Sequence, residues 1–156
     1  MTSSHPPGEV ARATSTAAEL LEVLWGRAST APVSVSQLRA LLILEHDEGI
    51  NLRTLAGALG STPPSTNRLR DRLEAMGFVR RQVAATGRRE VELRLSRRGR
   101  AFLADVRARR ETELRSVPER MPTGRRVALL TGLDGFSAAA SALIHDSGVA
   151  GDVRTA

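Results

Sequence analysis

Two short amphipathic segments separated by a tight break constrain the fold of this chain more than any other feature. The first segment follows Asn51, a residue type that caps helices, and Gly60 ends it. The second segment starts at Thr62, where Pro63 suits the first helical turn, and continues to about Ala75. Because apolar residues recur on one face of each segment, the two helices are predicted to cross closely.

The apolar period changes after Gly77 from helical to alternating. Residues 78–83 and 91–95 are each predicted to form a short strand, and residues 84–87 favour a hairpin turn between them. A helix pair followed directly by a strand pair is the order of a winged helix-turn-helix.

Helical patterns also lie on both sides of this unit. Ser34 and Gln37 form a capping-box pattern at the start of a helix that ends in the acidic cluster before Gly49. The remaining predicted helices cover about 14–28, 96–116 (capped by Ser96) and 123–145. The predicted fold is therefore mainly α with a small β-hairpin wing: a winged helix-turn-helix with an additional helical region.

Positive charge is concentrated in the middle of the chain. The net charge is +6, and every basic residue other than histidine is an arginine. Residues 68–110 contain fourteen arginines and five acidic residues, a surplus of nine, so the rest of the chain carries −3. A compositional bias toward arginine remains an alternative explanation, but the uneven distribution indicates an anionic partner for the middle segment.

Bulk properties exclude several classes of protein. The chain has no cysteine, which removes disulfides, thiol sensing and cysteine-ligated zinc. An uninterrupted run of about eighteen apolar residues is absent, so no membrane span is predicted. The N-terminus lacks the pattern of a secretory signal, and a cytoplasmic location is expected.

The outward face of the second short helix is polar and basic, which suits contacts to phosphates and base edges in a major groove. The candidate DNA-binding residues there are Thr62, Ser65, Thr66, Asn67, Arg68, Arg70 and Arg72. A solvated helix face is the alternative for any one of them. The hairpin tip adds Arg88 and Arg89, which could enter a minor groove or could simply protect a sheet edge from aggregation.

The stretch 34–99 resembles the MarR family of transcriptional regulators. The matching pieces are Leu55-Ala56 to Leu59-Gly60, Ser65 to Leu69, Asp71 to Glu74, Gly77-Phe78-Val79, and the wing residues Arg89, Leu93, Leu95, Ser96 and Gly99. The resemblance implies that helix 63–75 reads the major groove while wing 84–90 enters the minor groove. It also implies a homodimer in which the first helix and the last two intertwine.

The resemblance divides the chain into parts and assigns side chains to a dimer interface. The expected parts are a flexible arm (1–12), an N-terminal dimerisation helix (13–33), the winged helix-turn-helix DNA-binding domain (34–99), C-terminal dimerisation helices (100–146) and a flexible tail (147–156). The expected dimerisation residues are Leu20, Leu24, Leu114, Leu130, Leu133, Phe136 and Leu143.

Two positions depart from the family's pattern. Gly87 stands where the family has an aspartate that orients the wing arginine, so Glu90 is a candidate replacement. Arg70 stands where the family has an apolar residue, and it could supply an extra phosphate contact or only change the surface.

Many members of the family respond to small aromatic acids or drugs bound in a cleft. Trp25, Leu38 and Leu42 could line such a cleft, although ordinary core packing is the alternative for all three. The histidines do not have the spacing of a metal site, and the acidic residues around His46 are better explained as a solvated helix end. No cofactor, metal or catalytic residue is predicted, and the chain is not expected to be an enzyme.

The function expected from these features is a dimeric, sequence-specific transcriptional regulator that binds double-stranded DNA, acts as a repressor of nearby genes or of its own gene, and is relieved by a small ligand. The operator is expected to be an inverted repeat. The alternative is a winged-helix module that binds proteins and has no sequence-specific DNA binding. The basic middle segment favours DNA.

Overall fold

The computed structural model describes the chain over residues 5–84 and 90–150. Within these ranges the helices are α1 (Pro7–Trp25), α2 (Val35–His46), α3 (Leu52–Leu59), α4 (Pro63–Ala75), α5 (Arg97–Leu114), α6 (Ser116–Glu119) and α7 (Thr123–Ala150). Two antiparallel strands, β1 (Val79–Val83) and β2 (Val91–Leu95), form the wing. The predicted fold class is confirmed.

Side-chain caps start the helices of the central unit where the sequence predicts them. The hydroxyl of Ser34 accepts from the backbone N–H of Gln37, and the Gln37 side chain accepts from the backbone N–H of Ser34, which completes a capping box. Asn51 caps α3, Thr62 caps α4, and Ser96 caps α5. These local interactions fix the lengths of the helices that surround the turn between α3 and α4.

The turn between α3 and α4 depends on one left-handed residue. Gly60 has φ of 61°, a conformation that costs glycine little and other residues more. Its backbone N–H donates to the carbonyls at the end of α3, and the chain then reaches the Thr62 cap within two residues. The result is the compact helix-turn-helix that the sequence predicts.

One apolar core joins the helix-turn-helix, the wing and α5. Its most deeply buried large side chains are Leu41, Leu44, Leu55, Leu73, Leu93, Leu95 and Leu103, each 1% exposed or less. Because these side chains come from α2, α3, α4, β2 and α5, the orientation of α4 is set by packing against the whole unit. At about 25 cal/mol for each Å² of apolar surface buried, such a cluster supplies most of the stabilisation of a small domain.

The wing strands pair from Val79 opposite Leu95 to Val83 opposite Val91. A bridge from Ile50 to Leu93 adds a third short segment, in which the N–H of Leu93 donates to the carbonyl of Ile50 over 2.8 Å. Sequence periodicity did not predict this bridge, because a single paired residue has no pattern of its own. It attaches the start of α3 to the wing.

Both ends of the chain are more helical than predicted. The prediction of a flexible arm over residues 1–12 is wrong from Pro7 onward, since α1 begins there with proline in its first turn. The residues of this first part of α1 are exposed, so they lack the apolar period on which the prediction relied. The flexible tail over 147–156 is likewise wrong up to Ala150, because α7 continues to that residue. Residues 151–156 lie outside the described part.

The last helix is unusual for its exposed apolar surface. Val127, Leu130, Leu133 and Phe136 are between 50% and 64% exposed. Residues 123–144 also have the length and mean hydropathy, 1.6, of a membrane-spanning helix. The prediction of no membrane span rested on the absence of an uninterrupted apolar run, and residues such as Thr131 and Asp134 interrupt the apolar sequence of α7. In the isolated chain this surface has no cover among the described residues.

Candidate nucleic-acid interface

Helix α4 presents a basic face away from the core. Leu69, Leu73 and Met76 pack on the core side, while Ser65, Arg68 and Arg72 are exposed on the other. Ser65, Arg68 and Arg72 follow helical spacing of three and four, so they share one face. The predicted candidates Thr62 and Asn67 flank this face, Thr62 exposed and Asn67 half-buried.

Thr66 does not belong to this face. It is 1% exposed, and its hydroxyl donates to the carbonyl oxygen of Thr62 over 3.0 Å. The prediction that Thr66 contacts DNA is therefore wrong for this structure. A threonine whose hydroxyl satisfies its own helix can be buried, and a polar residue in a sequence pattern does not reveal this.

Arg70 also differs from its neighbours. Its side chain is only 14% exposed, and its Nε and Nη2 atoms lie 3.2 and 2.5 Å from Oδ1 of Asp71. The pair neutralises the guanidinium and holds it beside the helix. Of the two interpretations of Arg70, a changed surface fits this placement better than a phosphate contact.

A groove lies between the N-terminus of α2 and the basic face of α4. It has a volume of about 340 Å³ and is lined by Ser34, Ser36, Gln37, Ser65, Arg68, Leu69 and Arg72. No carboxylate lines it, so its polar groups are hydroxyls, an amide and two guanidinium groups. The α2 side of the groove was not predictable from the sequence, since only the three-dimensional fold brings residues 34–37 beside α4.

The two guanidinium groups of the groove are free to bind an anion. Within the described residues, neither Arg68 nor Arg72 forms an ion pair, whereas Arg81 pairs with Glu74 over 3.0 Å. Carboxylates also pair with Arg70 and Arg94. Arg53 and Arg80, like the two arginines of the groove, have no ion pair among the described residues. An unpaired guanidinium attracts phosphate strongly and can bind it with two parallel hydrogen bonds.

The described part of the wing is its base. The backbone N–H of Ala84 donates to the carbonyl of Glu90 over 2.9 Å and closes the paired segment. The predicted minor-groove residues Arg88 and Arg89, with Gly87, lie outside the described residues. Their predicted contacts therefore stay predictions. The same holds for the role of Glu90 in orienting Arg89.

The three predicted cleft residues occupy different environments. Leu38 is 4% exposed and packs in the core, as expected for an ordinary core residue. Leu42, on α2, is 37% exposed. Trp25 lies under the guanidinium of Arg110, 4.5 Å from the ring centre. The Nε1 atom of Trp25 and the Nε atom of Arg110 are buried, and neither has a hydrogen-bond partner in the described part of the chain. Burial also lowers the pKa of Arg110.

The predicted dimerisation residues lie on α1, α5 and α7. Leu20, Leu130, Leu133, Phe136 and Leu143 are exposed by between 50% and 68%. Leu24 and Leu114 are half-buried. The described residues contain no cluster of histidine and acidic side chains that could hold a metal ion.

A basic recognition helix inside a compact helix-turn-helix, followed by a two-stranded wing, defines a winged-helix protein of the DNA-binding regulator class. A family model described as the MarR family matches residues 33–91. The chain belongs to the MarR family, whose functions are DNA binding and transcription regulation. No curated protein sequence has a significant match to the chain.

Solved structures have a similar fold. RV1404 from Mycobacterium tuberculosis is 32% identical, over 89% of this chain and 97% of that one, with a TM-score of 0.69. The transcriptional regulator Tm0710 from Thermotoga maritima is 19% identical, over 83% and 92% of the two chains, with a TM-score of 0.70. The MarR family protein RV2887 from Mycobacterium tuberculosis, solved with salicylic acid, is 20% identical, over 87% and 99%, with a TM-score of 0.59.

Proposed function

We propose that this protein is a dimeric, sequence-specific regulator that binds an inverted-repeat operator and represses nearby genes or its own gene. The observation that carries the proposal is the exposed face of α4, where Arg68 and Arg72 stand unpaired beside Ser65. Helix α4 enters the major groove, and the wing tip with Arg89 reaches the adjacent minor groove. The protein acts in the cytoplasm and has no enzymatic activity.

The dimer in this proposal is built from α1, α5 and α7. Support comes from the large side chains of α7 that are exposed in the single chain, since burying apolar surface is the main driving force of permanent association. Two copies would place two α4 helices about one turn of DNA apart, which requires a palindromic site. A membrane role for α7 is the competing explanation. Isolation of the protein as a dimer in solution without detergent would exclude that role.

The proposal includes a small-molecule effector. RV2887 was solved with salicylic acid. Here the unpaired buried nitrogens of Trp25 and Arg110 offer donors beside an aromatic ring, a combination suited to an aromatic carboxylate. Isothermal titration calorimetry with salicylate should therefore show binding that Trp25→Phe weakens. The absence of binding heat at millimolar salicylate would remove this effector class from the proposal.

Selection of binding sites from random duplexes, followed by footprinting, tests the regulator function. We expect an enriched palindrome with two protected half-sites about one helical turn apart on one face of the DNA. A protein-binding module with the same fold would enrich no sequence. Reporter expression from the selected site, with and without the protein, then separates repression from activation.

A further inference from the structure

We infer that the groove between α2 and α4 is a seat for one backbone phosphate of the DNA, with Gln37 and Arg72 as its principal ligands and Arg68 at its rim. The inference rests on the proposed DNA-binding function and adds to it. The sequence pattern gives residues 34–37 a helix-capping role, and neither it nor the family match assigns them a contact with DNA. In this proposal Arg72 contacts a backbone phosphate, and Arg68 contacts a base.

The side chain of Gln37 is the first reason. Gln37 is 8% exposed, yet it lines the groove. Its Oε1 atom accepts from the backbone N–H of Ser34 over 2.7 Å, which fixes the orientation of the amide, since only the oxygen can accept. The remaining NH₂ group has no hydrogen-bond partner among the described residues. A buried amide held by a capping box thus keeps its donors available to the groove.

The other polar groups of the groove are donors as well. The hydroxyl of Ser65 accepts from Thr62 over 3.1 Å, which leaves its own hydrogen free. Ser36 is exposed in the first turn of α2, where the free backbone N–H groups and the helix dipole favour an anion. Arg72 has no ion pair among the described residues, and no carboxylate lines the groove. The groove therefore offers hydrogen-bond donors and positive charge to an anion, with no negative charge to repel it.

The position of the groove selects the backbone phosphate over a base. A helix in the major groove has a sugar–phosphate strand on either side. The groove lies on the flank of α4, against the N-terminus of α2, so it meets one of these strands when α4 enters. Arg72 is one helical turn farther than Arg68 from the N-terminal end of α4. Because that end approaches the bases, Arg72 is farther from them than Arg68 is.

The substitution Gln37→Glu separates this role from folding. A glutamate keeps the oxygen that completes the capping box, so the helix should be retained, but it replaces the free donor with a carboxylate oxygen that repels phosphate. We expect the affinity for the selected duplex to fall about tenfold or more, as for loss of a charged hydrogen bond. Ser15→Glu is the control, because it adds the same charge at an exposed position of α1, outside both the groove and the wing.

A second variant keeps the test independent of the capping box. Ser36→Asp places a carboxylate at the exposed rim of the groove, and an acidic residue in the first helical turn does not weaken a helix. The variant should lose affinity in the same direction as Gln37→Glu, with unchanged thermal unfolding. If both variants bind the selected duplex within twofold of the unsubstituted protein, the phosphate seat is refuted while the regulator function stands.

Methylphosphonate substitution locates the phosphate. Neutralising the seated phosphate should weaken binding by the unsubstituted protein and strengthen binding by Gln37→Glu, because the repulsion disappears. If no phosphate position shows this reversal, the inference is overturned.

A free anion, rather than a DNA phosphate, could also bind to these donors. If inorganic phosphate shifts the Gln37 amide resonance without DNA, and Gln37→Glu leaves duplex affinity intact, the groove is a small-anion site and the DNA assignment is wrong. If the unsubstituted protein binds no duplex, the proposed function itself fails.

Discussion

The Glu45 carboxylate accepts hydrogen bonds from both terminal nitrogens of Arg107, with Nη1 3.1 Å from Oε1 and Nη2 on Oε2, and so joins the end of α2 to α5. Beside this pair, the Glu48 carboxylate contacts Arg100 of α5 and lies 3.5 Å from Nη1 of Arg94 in β2. These contacts connect the end of α2 and the loop before α3 to both the wing and α5.

The Glu45–Arg107 pair makes a pH-dependent contribution to folding. The hydrogen bond from Arg107 lowers the pKa of Glu45, and the bond to Glu45 raises the pKa of Arg107. Because the carboxyl pKa is lower in the folded state, its contribution is present at neutral pH and declines below about pH 5. The Arg107 side chain is 49% exposed, so solvent screening limits the pair to about 1 kcal/mol or less.

The measurement is urea unfolding of Glu45→Gln at pH 7 and pH 4. We expect a small loss of stability at pH 7 that shrinks at pH 4, where the natural carboxyl is becoming protonated. Glu19→Gln, at an exposed position of α1, is the control and should change little at either pH. An equal loss for Glu45→Gln at both pH values would show that the ion pair is not the cause.

Gly99 permits a close approach between α5 and the wing. A Cβ atom at this position would overlap the backbone carbonyl oxygen of Phe78, which has little freedom to move. Gly99→Ala should therefore lower the free energy of unfolding by about 1–3 kcal/mol, as expected for overpacking. Gly57→Ala is the control, because a Cβ atom there meets nothing within 4 Å. In a helix this control should stabilise by about 0.5–1 kcal/mol. Equal effects of the two substitutions would contradict the packing argument.

Arginines on the same helix should differ in their effect on DNA binding. Arg68→Ala is expected to cost about 1–3 kcal/mol on the selected site and to relax specificity at one base pair. Arg70→Ala is the matched control, because Arg70 is paired with Asp71 and 14% exposed. It should change the affinity by much less. Fluorescence anisotropy with the selected duplex and single-base variants measures both effects, and the account is wrong if Arg70→Ala costs as much as Arg68→Ala.

The apolar surface of α7 should hold the dimer together. Leu133→Asp places a charge on a side chain that is 50% exposed in the single chain and that we propose is buried between two copies. We expect sedimentation to show monomers and the operator affinity to fall sharply. Thr131→Asp, on the opposite side of the same helix and three residues before Asp134, makes the same kind of change away from Leu133 and should remain dimeric. A dimeric Leu133→Asp protein would place the interface elsewhere.

The parts of the fold predicted correctly are those fixed by local chemistry. The caps at Ser34, Asn51, Thr62 and Ser96 each follow from one side chain and a nearby backbone N–H, and all four are present. The strand pair follows from alternating apolar residues. The start of α1 at Pro7 was missed because an exposed helix without apolar neighbours carries no periodic signal.

The candidate site was predictable only where it depends on helical spacing and not on tertiary contacts. The spacing of Ser65, Arg68 and Arg72 places them on one face of α4, which the structure confirms. Burial of Thr66 and the pairing of Arg70 depend on contacts that a sequence pattern does not contain. Gln37 was recognised only as a cap, because its proximity to α4 exists only after α2, α3 and α4 have packed together.

Helix α4 is proposed to recognise DNA in a sequence-specific way. The most direct test compares the affinity of the protein for the selected palindrome with that for a scrambled duplex of the same composition, over a range of salt concentrations. The account predicts a preference of about a thousandfold or more near physiological salt, with both affinities falling steeply as salt rises. Equal affinity for the two duplexes at every salt concentration would contradict it.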